Sequence, residues 1–162
     1  MKLCVTGHND SGKSVFSYVG AAPRKLGPDS YDVWSTQGVV RVPDDADPRA
    51  PASVGYFPVS GETSFKVVTV PPTGEGAPQD QVPGEIMERF FDADDPGMHT
   101  TDTIDYVFIA AGQADLELDD GRKERVRAGD CVVQRGTRHA WRVVGPEPLV
   151  LCAVLLGAER VR

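Results

Sequence analysis

The 162-residue chain is 40% apolar and 25% charged, enough to bury one core and too apolar to be disordered. Its net charge of −7, with no basic cluster interleaved with aromatics, argues against nucleic-acid binding, and no apolar run of about 18 residues offers a membrane-spanning helix. Thirteen prolines and 17 glycines favour many short strands and turns over long helices.

Residues 1–10 (MKLCVTGHND) lack the apolar centre of a signal peptide, so the expected location is the cytoplasm of a bacterium. The three cysteines, Cys4, Cys131 and Cys152, each lie in an apolar run and are expected as buried, reduced thiols.

Gly7–Ser14 (GHNDSGKS) matches the phosphate-loop pattern G-x4-G-K-S. Such a loop must open a helix, because the phosphates sit on the helix N-terminus. The residues that follow, VFSYVGAAP, are instead β-branched, aromatic and alternating, and Gly20 and Pro23 end them. NDSG is a tight-turn sequence, so the segment is predicted as a hairpin with His8 at its turn.

Strands are predicted at residues 31–38 (YDVWSTQG), 39–43 (VVRVP) and 64–70 (SFKVVTV). Between Pro43 and Gly61 runs a long, proline-punctuated loop, expected either to be mobile or to cover a pocket mouth, and PTGEGAPQDQVP is a second loop. Glu85–Phe91 is the one helix candidate. From residue 99 onward the pattern is β throughout. Strands are expected at 105–111, 114–118, 123–127, 131–134, 139–144 and 149–156, the last a continuous apolar run and so fully buried. Strands at such spacing make a sandwich or barrel.

Two of the three histidines, His99 and His139, bracket this β segment. His99, Thr101, Asp105 and Gly112 stand at the spacing of the first cupin motif, G-x5-H-x-H-x3,4-E-x6-G. Gly129, Asp130, Gly136 and His139 follow the second motif, one residue shorter between its first glycine and its histidine. TDTIDY, LDDG, GD-x-VVQRGT and HAW are similar to a group of small single-domain bacterial cupins. The resemblance covers roughly the last 65 residues. It implies an all-β fold, a cupin double-stranded β-helix (jelly-roll) barrel with an N-terminal hairpin and loop extension. On that reading the chain is one domain, with residues 1–82 as extension and 83–162 as barrel core.

The resemblance also implies a pocket for a small organic molecule, a homodimer, and a divalent metal (Fe, Mn, Ni or Zn) at the mouth of the barrel. His99, Asp105 and His139 would be its ligands, with Gln134 supplying a fourth oxygen. The chain departs from the family twice: Thr101 stands at the second histidine and Asp105 at the glutamate. The alternative is that Thr101 and Asp105 hydrogen-bond and the barrel holds a metal-free organic pocket. A third reading makes both histidines purely structural.

Around the site, Trp141 lies two residues after His139 and shares its face, as a pocket wall. Tyr106 follows Asp105 and points the opposite way in a regular strand, reaching substrate only from a bulge. Arg135 and Arg138 flank the RGT turn, and one of them, Arg138, is the candidate carboxylate binder. Thr101 completes the substrate-binding candidates. Two functions follow from the fold: a metal-dependent enzyme performing oxygenation, isomerisation, cyclisation or decarboxylation, or a non-catalytic binding barrel.

Overall fold

The structure, a computed structural model, describes residues 1–27, 29–44, 46–50, 54–72 and 82–161. Eleven antiparallel strands are seen among them: β1 (Lys2–His8), β2 (Ser14–Ala21), β3 (Lys25–Gly27), β4 (Ser30–Gln37), β5 (Glu62–Val70), β6 (Thr103–Ala111), β7 (Gln113–Glu117), β8 (Lys123–Arg127), β9 (Cys131–Arg135), β10 (Ala140–Val143) and β11 (Leu149–Gly157). One helix, α1 (Gly84–Phe90), precedes β6. The jelly-roll barrel is built from a six-stranded sheet in the order β3-β4-β5-β11-β6-β9 and a three-stranded sheet in the order β10-β7-β8. Residues 25–70 therefore supply half of the larger sheet.

The core lies between these sheets. Val107 and Ile109 of β6, Leu149, Leu151, Ala153 and Leu155 of β11, and Ala114, Val126 and Val143 of the smaller sheet form one cluster. In β6 burial alternates strictly from Thr103 to Ile109, as the two-residue period of a strand facing a core on one side requires. The inward set changes character along the strand. Thr103 and Asp105 are polar, Val107 and Ile109 apolar, and all four are buried. The barrel thus has a greasy end and a polar end.

The first hairpin forms as predicted. Asn9 Oδ1 accepts hydrogen bonds from the backbone N–H of Ser11 and Lys13, and Gly12 takes the left-handed conformation (φ 73°). The phosphate-loop lookalike is a turn joining β1 to β2, with exposed His8 at its edge and no helix after it.

Four expectations need correction. Strand β11 is not fully buried: Val154 is exposed and Cys152 half-buried, because the strand lies inside one sheet and only its inner face meets the core. Residues 39–43 are not a strand: Gly38 turns the chain at φ 68° and donates to the Gly61 carbonyl, and Val39 and Val42 are exposed without a ladder partner. The cysteines are free but not buried. Cys4 and Cys131 are exposed and Cys152 is half-buried, because Cys131 and Cys152 fall on outward positions of their strands and no layer covers Cys4 in the hairpin. Strand β10 begins at Ala140, with His139 joined to His99 by an isolated bridge. The second loop of the sequence analysis falls, over residues 73–81, outside the described residues.

Candidate functional site

The bridge between His99 and His139 is the centre of the site. Each backbone N–H donates to the other residue's carbonyl, at 2.9 and 3.0 Å, which brings the two ring centroids to 4.3 Å. Both rings are anchored the same way. Nδ1 of His99 lies 3.0 Å from the Gly97 carbonyl, and Nδ1 of His139 lies 2.9 Å from the Thr137 carbonyl. A carbonyl only accepts, so each Nδ1 carries the proton and each Nε2 keeps its lone pair. Burial holds both imidazoles below their ordinary range. For His99, burial and the neighbouring His139 outweigh the Gly97 bond and push the pKa down to about 4. The pair is neutral at pH 7.

Rings wall the pair in. Phe91, just after α1, stacks on His99 with centroids 4.6 Å apart, and Phe57 from the 43–61 loop stacks at 6.3 Å. Trp141 meets His139 edge-on at 6.1 Å. The described part of that loop therefore packs against His99 through Phe57. Beside His99 opens a cavity of about 150 Å³, walled by Tyr56, Phe57, Phe91, Trp141, Val68, Val70 and Leu151. A cavity of that size lined by apolar side chains takes a benzene-sized ring.

Sequence reasoning missed one group at this wall, Lys66. It sits on β5 at an inward position, between buried Ser64 and partly buried Val68, and is only 3% exposed. Its ammonium lies 5.3 Å from the centre of the Tyr56 ring and 3.8 Å from Asp32 Oδ1, and it makes no hydrogen bond. Burial pulls its pKa below the ordinary lysine range, offset in part by Asp32. The signal was present in SFKVVTV: residues 64, 66, 68 and 70 share a face, and the face is apolar apart from this residue and Ser64.

The other candidates divide. Thr101 and Thr103 share a hydrogen bond of 2.8 Å below the histidines, and the Thr137 hydroxyl donates to Gln134 Oε1 at 2.7 Å. Asp105 and Gln134 are buried and face each other in register across β6 and β9. Asp105 Oδ1 and Gln134 Nε2 have no hydrogen-bond partner. Burial raises the Asp105 pKa to about 6 against the opposing bond from Thr103. Tyr106 is 53% exposed on the outer face of β6, away from the cavity. Arg138 binds carboxylates, but they are the chain's own: Asp92 at 2.6 Å and Asp119 at 3.0 Å. These ties spend its fork on the rim rather than on a ligand.

The residues were tested against the implied metal. His99 and His139 fit, with two neutral imidazoles and free Nε2 atoms. The third ligand does not. Among the described residues no three His, Cys, Asp or Glu side chains gather closely enough to hold a metal ion. Thr101, at the second-histidine position, turns its hydroxyl to Thr103. A complete protein-built 2-His-1-carboxylate set is not formed.

No protein-family profile matches the chain. Among curated proteins, it is 36% identical over 88 residues to phomopsin biosynthesis cluster protein C′ of Diaporthe leptostromiformis, covering 52% of the chain and 47% of that protein. It is 48% identical over 44 residues to a cupin-domain-containing oxidoreductase of Neurospora crassa, covering 27% of the chain and 22% of that protein. The chain spans less than half the length of the curated relatives it matches. A cupin 2 conserved barrel domain protein of Salinispora arenicola is similar in structure, with 17% identity, a TM-score of 0.43, and coverage of 83% of this chain and 82% of that one. With its antiparallel jelly-roll sheets, its histidines on one bridge and its motif glycines at the turns, this chain folds as a double-stranded β-helix barrel.

Proposed function

We propose that this protein processes a small, mainly apolar organic molecule in the barrel, by proton transfer at His99. The observation that carries the reading is the cavity beside His99, walled by aromatic rings and lined by three ionisable groups, Lys66, His99 and Tyr56. Its similarity to proteins named for biosynthesis clusters supports work on small molecules. In this reading the ring of the substrate lies among Phe57, Phe91 and Trp141. The Nε2 lone pair of His99 accepts a proton or hydrogen bond from it, and the neighbouring His139 disfavours charge on that ring, so the proton is passed on readily. Phe57 and Phe91 exclude water from the exchange, which strengthens each polar contact inside. Isomerisation and cyclisation need only such proton movements.

One observation favours a second reading, a divalent metal on His99 and His139: the Nδ1 bonds leave both Nε2 atoms free, the arrangement that orients metal-ligating imidazoles. One experiment separates the two. Protein stripped with a chelator, its metal content checked by elemental analysis, is titrated with benzyl alcohol while Trp141 fluorescence is followed. The first reading predicts unchanged binding in the stripped protein. One metal per chain, lost in both His99→Ala and His139→Ala and required for binding, would establish the second.

A further inference from the structure

Resting on the pocket reading above, we propose that Lys66 anchors the carboxylate of an apolar organic acid bound in the barrel. A lysine ammonium carries three donors, and a buried donor left unpaired costs about 1–3 kcal/mol. Lys66 is 97% buried in its side chain, yet its Nζ makes no hydrogen bond. Its one acidic neighbour is committed elsewhere. Asp32 Oδ2 lies 3.2 Å from the Arg24 guanidinium, and Asp32 Oδ1 accepts the Ser64 hydroxyl at 3.1 Å. At 3.8 Å the Lys66 ammonium feels that carboxylate without bonding to it.

Lys66 lines the same cavity as His99 and Trp141, with its Nζ buried behind that wall. The rest of the lining is apolar or aromatic, so a ligand that satisfies the ammonium needs one anionic group on an apolar body. A phosphate is a poor match. It calls for several donors, and Lys66 is the one lysine or arginine on this wall. A carboxylate matches a single ammonium in a low-dielectric wall, and the acid's apolar body then lies against Trp141 and Phe91, within the space next to His99. Lys66 so fixes which end of the substrate enters first.

The test compares phenylacetate with phenylacetamide, which differ in charge and little in shape. Each is titrated calorimetrically into the intact chain and into Lys66→Met, with the Trp141 indole signal followed by NMR to place the binding. The expected result is at least tenfold tighter binding of phenylacetate by the unmodified protein, with the preference lost in Lys66→Met. Equal binding of acid and amide at Trp141 by the unmodified protein overturns the anchor and leaves the pocket standing. Failure of the acid, the amide and benzyl alcohol alike to move the Trp141 signal overturns both. Should Lys66→Met not fold, the acid-to-amide ratio of the unmodified protein decides alone.

Discussion

Groups of opposite sense set the pH behaviour of the site, the two imidazoles on one side and Asp105 on the other. His99 has a pKa lowered to about 4 by burial and its neighbour His139. The unfolded chain binds its proton more readily, so this residue's contribution to stability is present above about pH 6.5 and is lost as pH falls towards 4. Asp105 has a pKa raised to about 6 by burial. Here the folded chain binds the proton more readily, so stability is greatest below about pH 4 and is lost as pH rises through 6. Across the range between, the two slopes oppose each other and the native protein should show a shallow profile. Replacing Asp105 with Asn removes one slope. Chemical denaturation should find Asp105→Asn more stable by roughly 1–3 kcal/mol at pH 8, an advantage gone by pH 4, with a steeper acid loss than the native chain. An Asp105→Asn variant less stable at pH 8 would mean that the carboxylate is held by a cation there.

At the scale of elements, the sequence was most legible where one period ruled. Strand β6 alternates from Thr103 to Ile109, and the turns after it carry glycines that need positive φ: Gly112 at 77°, Gly129 at 97° and Gly136 at 64°. Gly112 also lets the chain pass the Pro148 carbonyl and Leu149, where a Cβ would collide with backbone. Gly112→Ala should therefore destabilise the fold sharply in chemical denaturation, by roughly 2 kcal/mol or more. A change within a few tenths of a kcal/mol would show that the β7 turn adapts freely. Legibility failed where partners decide. VVRVP has the composition of a strand, but Gly38 turns it away from every ladder. Lys66 read as an ordinary strand residue because nothing local shows that both β4 and the 43–61 loop close over it. Asp105 stands at the motif spacing, yet spacing along one strand does not fix its distance to residues on others.

For the whole molecule, the outer face of the larger sheet is the remaining question. Phe65, Val154, Tyr106 and Val133 lie in one cross-strand row over β5, β11, β6 and β9, and all four are exposed. The β1-β2 hairpin forms a separate sheet with Phe16 71% exposed. We propose that a second copy of the chain covers this apolar band as a homodimer. Light scattering after size exclusion should return twice the chain mass, and the double substitution Tyr106→Asp with Val133→Asp should return it to one. A native chain monomeric at 100 μM, a concentration set well above roughly micromolar dissociation constants, would contradict the dimer.

Fold, rim and core all serve the pocket beside His99, so the decisive measurement is where a small apolar probe binds. Two-dimensional NMR during titration with benzyl alcohol should move the Trp141 indole and His99 ring signals first and most. Val70→Phe, which fills the cavity from its wall, should abolish those shifts with the fold intact. Shifts scattered over the surface, or shifts at Trp141 that persist in Val70→Phe, would contradict the assignment of this cavity as the functional site.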